Sequence, residues 1–226
     1  MSTDREAILR RLKTKLYRDE NPITDAFSRL QAPPLNIIPK RGANDLKNKV
    51  KNFIEEAEMA DATVTKIEGL ASLPKVITHY LASQNLPTGI RVADSLVDVN
   101  WGSQPLLSVK KGRAKGTDLV GVSRAFAGVA ETGTLIYLSG EENPSTLHLL
   151  PPTHIAVLME KDILGNYENA WTNVRLKCEK NAEGATSLPR AVSWVTGPSR
   201  SGDIEQTLLL GVHGPQRLHI VVVGNG

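Results

Sequence analysis

Four short polar segments carry residue types and spacings that could do chemistry. The first is Ala130-Glu131-Thr132-Gly133-Thr134, which lies between Gly121-Val122-Ser123-Arg124-Ala125 and the apolar run Leu135-Ile136-Tyr137-Leu138. A carboxylate beside two hydroxyls and a glycine can serve as base, nucleophile or ligand-orienting group. The competing reading is that Glu131 and Thr132 satisfy turn amides. The second is Leu149-Leu150-Pro151-Pro152-Thr153-His154-Ile155, where proline fixes a turn and His154 enters an apolar strand. A lone histidine there is more often a hydrogen-bonded core residue than a catalyst. The third, Gly197-Pro198-Ser199-Arg200-Ser201-Gly202-Asp203-Ile204-Glu205, follows a strand and is expected to open a helix. Free amides at a helix N-terminus attract anions, and Ser199, Ser201 and Arg200 add donors. Against this, Asp203 and Glu205 would themselves complement the dipole and repel an anion. The fourth is Gly211-Val212-His213-Gly214-Pro215. Gly211 and Gly214 let backbone approach closely and leave His213 poorly covered.

Other chemistries find little support. No G-x-G-x-x-G run is present, so the dinucleotide fingerprint is missing. Ser123, Asp203 and His213 follow hydrolase chain order, but the second glycine of a nucleophile elbow is absent. The five histidines, at 79, 148, 154, 213 and 219, place no ligand pair on one helix face. The single cysteine, Cys178, excludes an internal disulfide, a cysteine-only iron–sulfur cluster and a Cys-rich zinc site.

The elements that must position these segments alternate. Helices are expected over 44–60 and 73–84, and strands near 63–67 and 90–93. Further strands are expected near 118–122, 133–138, 154–159, 191–196 and 218–223, with helices near 163–180 and 202–210. Such alternation indicates βαβ units and a mostly parallel sheet. The continuous apolar runs Ile155–Met159 and Ile220–Val223 suit strands buried on both faces. In such sheets ligands bind beyond the carboxyl ends of the strands, and the four segments are expected there. Prolines and Gly42 break the chain over 31–44. Residues 1–60 are expected to be a helical segment or cap, and residues 61–226 the α/β domain. The first helix carries Ile8, Leu12 and Leu16 on one face and Arg5, Arg10, Arg11, Lys13 and Lys15 elsewhere. It is expected to pack on its own domain, although a basic amphipathic helix can also dock on a partner or a membrane.

A chain of 226 residues, 40% hydrophobic and 23% charged, is long enough for one sizeable core. The net charge of +3 is too small to mark nucleic-acid binding. The densest basic stretch, Lys110, Lys111, Arg113 and Lys115, reads as a solvated loop. Neither a signal-peptide core nor a membrane-spanning run is seen, so a cytoplasmic protein is expected.

Taken in order and spacing, the four segments resemble the LUD (lactate-utilisation) family, and within it the small C-type members, over roughly residues 118–223. The resemblance implies a fold like the glucosamine-phosphate deaminase, ribose-phosphate isomerase and CoA-transferase (NagB/RpiA/CoA-transferase-like) group, an open, mostly parallel Rossmann-like sheet. It implies a part in oxidising L-lactate to pyruvate beside iron–sulfur partner proteins. No cofactor is expected on this chain, and a small anionic ligand and self-association are both compatible with it. By analogy with that fold group, Glu131 would be the catalytic carboxylate, with His213 a second candidate. The ligand-binding candidates are Arg124, Thr132, Gly133, Thr134, Ser199, Arg200, Ser201, Asp203, Gly211 and Gly214. A stand-alone transferase or isomerase using Glu131 is the alternative. By the same resemblance, family members often carry an arginine upstream of the Leu-Pro pair, where this chain has Asn143-Pro144-Ser145-Thr146-Leu147-His148. If that arginine holds a substrate carboxylate, the contact is either lost in this chain or supplied by Arg124 or Arg200.

Overall fold

Alternation inside the two apolar runs builds the centre of the molecule. In β7 (Thr153–Met159), Ile155 and Val157 point to one side of a sheet, while Ala156 and Leu158 point to the other. In β12 (Arg217–Val223), Val221 and Val223 share the first side, and Ile220 and Val222 the second. Side chains alternate along a strand, so a continuous apolar run requires apolar cover on both faces. Helix α3 (Leu73–Ser83) covers the first face with Leu73, Ile77 and Leu81, and helix α2 (Leu46–Met59) covers the second with Val50, Phe53 and Ala57.

This is a computed structural model, and it describes residues 2–15, 46–180, 189–204 and 207–224. The chain divides into two compact units, Met1–Ile37 and Ile38–Gly226. In the first, helix α1 spans Ser2–Lys15, and the Thr14 hydroxyl donates to the Arg10 carbonyl at 3.0 Å. The expected helix position Leu16 and the 31–44 break lie outside the described residues.

The second unit holds a six-stranded, all-parallel sheet. Its order is β1 (Thr63–Ile67), β12, β7, β4 (Val120–Arg124), β2 (Gly89–Val92) and β3 (Ser108–Lys111). The expected open, mostly parallel α/β architecture is therefore present. A second sheet has the order β8 (Ile163–Leu164), β5 (Ala127–Val129), β6 (Thr134–Leu138) and β9 (Val192–Val195), with β5–β6 and β6–β9 antiparallel. Leu135 and Tyr137 of β6 join the core beneath α2, while Ile136 packs toward helix α5 (Tyr167–Lys180) with Ala170, Val174 and Cys178. A one-turn helix α4 (Thr146–Leu149) leads into β7. Among the described residues no helix is long and apolar enough to cross a membrane.

Three expectations need correction. The stretch expected as a helix over 202–210 is instead a hairpin, β10 (Arg200–Ile204) with β11 (Thr207–Leu210). Gly202 weakens a helix, and the contiguous Leu208-Leu209-Leu210 lacks a helical period, so cross-strand pairing wins. The basic stretch is only partly a loop: Lys110 and Lys111 lie on β3, at the edge of the sheet, where lysines guard against further strand pairing. Finally, the polar segments do not stand at the carboxyl ends of the parallel strands. Pro151-Pro152 precedes β7, the Gly211 loop precedes β12, and the Glu131 and Ser199 segments follow strands of the second sheet.

Candidate functional site

The β5–β6 hairpin turns through Ala130–Gly133 against the backbone of α2. Gly133 has φ 63°, and a Cβ there would run into the Ala57 amide, so only glycine permits this approach. Glu131 is buried. Its amide donates to the Gly165 carbonyl at 3.2 Å, and its Oε1 accepts from the Tyr167 amide at 3.3 Å. Tyr167 opens α5, so Glu131 supplies the carboxylate that the helix N-terminus favours. Asn166 completes that cap, its Oδ1 accepting from the Asn169 amide at 2.9 Å.

The second carboxylate oxygen of Glu131 is buried and has no hydrogen-bond partner. A chain of hydroxyls stands on the same turn and helix start. The Thr132 hydroxyl donates to the Tyr167 phenol at 3.0 Å and lies 2.7 Å from the Thr134 hydroxyl. Thr134 in turn bonds Tyr167 at 2.8 Å and Thr196 at 2.7 Å. Linked hydroxyls can each donate and accept, which suits them to orient a polar ligand or pass a proton. Tyr167 and Thr196 carry no local sequence signal of this role. They come to Thr134 because α5 begins beside the hairpin and β9 pairs with β6.

The Ser199 and Gly211–Pro215 segments form a second centre. The Ser199 amide donates to the Pro215 carbonyl at 2.8 Å, and the Gly211 amide to the Ser199 carbonyl at 3.0 Å. The His213 amide donates to the Ser199 hydroxyl at 3.3 Å, and Gly214 lies beside the Ser199 side chain. The Gln216 and Arg217 amides both reach the Pro152 carbonyl, at 2.9 and 3.1 Å. Three of the four segments therefore meet at the amino ends of β7 and β12. The His213 ring is exposed, and no hydrogen bond joins it to Glu131.

The expected anion site at a helix N-terminus does not form, because β10 takes its place. Arg200 is ion-paired with Asp61 and donates to the Ala60 carbonyl at 3.4 Å. Gly197 permits that approach: at φ 71°, a Cβ there would strike the same Ala60 carbonyl. Ser201 and Asp203 lie on β10, and their side chains fall outside the described residues. Arg124, at the end of β4, is 3.5 Å from the Asp162 carboxylate. Both arginines considered for a substrate carboxylate thus already have acidic partners.

His154 is a hydrogen-bonded core residue, its Nε2 lying 2.9 Å from the Ser123 hydroxyl. Ser123 is therefore bonded to His154 and not to His213. His148 stacks on Tyr137 at 4.4 Å between ring centres, and its Nε2 lies 3.2 Å from the Ser193 hydroxyl. Burial pushes the His148 pKa down to about 4. Burial, with His148 nearby, holds His154 well below the usual histidine range. Burial also raises the Tyr137 phenol. These imidazoles stay neutral and are too weakly basic to serve as general bases near neutrality. Among the described residues, no three His, Cys, Asp or Glu side chains come together as a metal site.

Comparison with known proteins gives these features a context. Lactate utilization protein C of Geobacillus thermodenitrificans is 35% identical over 104 residues, which are 46% of this chain. That match spans only 42% of the relative's own length. Lactate utilization protein C of Anoxybacillus flavithermus is 24% identical over 231 residues, covering 96% of this chain and 98% of that protein. A solved structure, a DUF162 family protein from Deinococcus radiodurans, shares the fold with a TM-score of 0.61 at 20% identity, over 80% of this chain and 99% of that one. The LUD domain family matches residues 40–223, a stretch that runs from before α2 to the end of β12 and takes in both sheets. The chain belongs to the LUD domain family.

Proposed function

We propose that this chain serves in L-lactate utilisation, as a cytoplasmic subunit without a redox centre of its own that works beside iron–sulfur proteins oxidising L-lactate to pyruvate. The observation that carries this reading is the alignment with a Lactate utilization protein C over 96% of this chain and 98% of that relative. The division of labour is supported by the single cysteine, which is buried among Ala170, Val174 and Ile136. One thiol packed as a small apolar residue cannot hold a cluster. A deletion strain tests the pathway. Loss of growth on L-lactate, restored by the wild-type gene, is expected. Growth at the parental rate, in a strain with no second copy of the gene, would refute it.

A second reading keeps Glu131 as the reactive group of a stand-alone transferase or isomerase. The buried, unbonded Oε2, on the turn that also carries the bonded hydroxyls of Thr132 and Thr134, favours it. Turnover of an acyl-CoA or a sugar phosphate, abolished in Glu131→Gln, would establish this reading. Absence of turnover by the wild-type protein across both substrate classes would remove it.

A further inference from the structure

A cavity of about 370 Å³ opens beside the β6–α4 crossover, and two arginines, Arg113 and Arg190, line it. Its position is the one the four polar segments lack. Arg113 lies just past β3, at the carboxyl edge of the parallel sheet. The crossover itself is tied to that edge. The Ser95 amide, just past β2, donates to the Glu142 carbonyl at 3.0 Å, and the Asn143 amide group donates to the Arg124 carbonyl at 2.9 Å. Ligands of open α/β sheets bind beyond this edge.

The backbone next to each arginine is anchored the same way. The amide after Arg113, that of Ala114, donates to the Thr146 hydroxyl at 3.1 Å. The amide after Arg190, that of Ala191, donates to the Ser139 hydroxyl at 2.8 Å. Both hydroxyls line the cavity, and both accept from backbone, which leaves their own protons free for another partner. Ser145 adds a third hydroxyl. Among the described residues of the lining Glu141 is the only carboxylate, set against two guanidiniums. Neither arginine has an ion-pair partner among the described residues, in contrast to Arg124 and Arg200.

We infer that the Arg113–Arg190 cavity is an oxyanion subsite for a small carboxylate- or phosphate-bearing molecule. A guanidinium matches either group with two parallel hydrogen bonds, and the hydroxyls supply further donors to the same oxygens. The inference rests on the cavity and not on the pathway, so the growth experiment can fail without touching it.

The test is calorimetric titration of the full chain with inorganic phosphate, L-lactate and pyruvate at low ionic strength. At least one of these oxyanions should bind, and more weakly as salt is added. Binding of phosphate alone assigns the subsite to a phosphate ester, and binding of the carboxylates alone to an organic acid. Arg113→Gln and Arg190→Gln should each raise Kd by about tenfold or more, because each removes a charged hydrogen-bonding partner. Arg175→Gln, on α5 over the Trp171 ring, should leave Kd unchanged. Thr146→Ser should retain binding, and Thr146→Val should weaken it with the fold intact by circular dichroism. No binding of any of the three anions, or unchanged Kd in both arginine variants, overturns the inference.

Discussion

Acidification should destabilise this protein through two buried histidines. His148 and His219 are both buried, and burial holds each pKa down to about 4. His219 is stacked on Tyr80 at 4.0 Å, and its Nδ1 lies 2.8 Å from the Thr63 hydroxyl. His148 faces Tyr137, His154 and Ser193. Among the described residues no acidic group is bonded to either ring to favour the imidazolium. In the unfolded chain both should titrate near 6.5, so between the two values the unfolded state binds more protons. Stability is therefore fully present above the unfolded pKa and is lost as pH falls from about 6.5 toward 4. For a group moving between those values, linkage gives a loss of about 2 kcal/mol on going from pH 7 to pH 5. Two such histidines make that a large share of a total stability of about 5–15 kcal/mol. The measurement is urea unfolding followed by the fluorescence of Trp101, Trp171 and Trp194 at pH 7, 6 and 5. His219→Gln cannot titrate, so its stability should fall by about 2 kcal/mol less than wild type over that interval. His148→Gln should behave likewise. Asp118, whose carboxyl is held low by Arg91 and the Lys115 amide despite the raising effect of its burial, acts only at lower pH and leaves the window clear. Identical pH slopes in wild type and both variants would refute the reasoning.

Other outcomes follow from packing. Phe53→Ala empties a fully buried site between α2 and the sheets and should cost about 3–5 kcal/mol in urea unfolding. Gly133→Ala combines an unfavourable φ with a clash against α2 and should cost at least about 1–3 kcal/mol, while Gly116→Ala, with open space around it, should cost less than about 1 kcal/mol. Asn166→Ala removes the cap from α5 and should cost about 1 kcal/mol by the same assay. Equal stability of Gly133→Ala and wild type would mean that the β5–β6 turn does not lie against α2 as described.

Much of the fold is legible locally. The spans of α2, α3, β1, β2, β7 and β12 follow from periodicity within each segment, because burial of one helix face or of two strand faces leaves its imprint on neighbouring residues. Pairing partners leave no such imprint. The runs at 134–138 and 192–195 read correctly as strands, yet they belong to a second, mixed sheet in which both pair antiparallel, and nothing within either run distinguishes one sheet from another. The 202–210 helix failed for a related reason: the segment has weak propensity, and long-range pairing decided its state.

The site divides along the same line. Residue type alone singled out Glu131 with its threonines, the Gly-flanked His213, and the single cysteine that rules out an internal cluster. Only the tertiary structure joined Thr134 to Tyr167 and Thr196, gave Ser123 to His154, and spent Arg124 and Arg200 on Asp162 and Asp61. It also set Arg113, read from sequence as part of a solvated loop, across a cavity from Arg190. The reason is physical. Composition and local pattern determine what a segment can donate, accept or bury, whereas a functional site depends on which distant segments the packing of two sheets brings within a few ångströms.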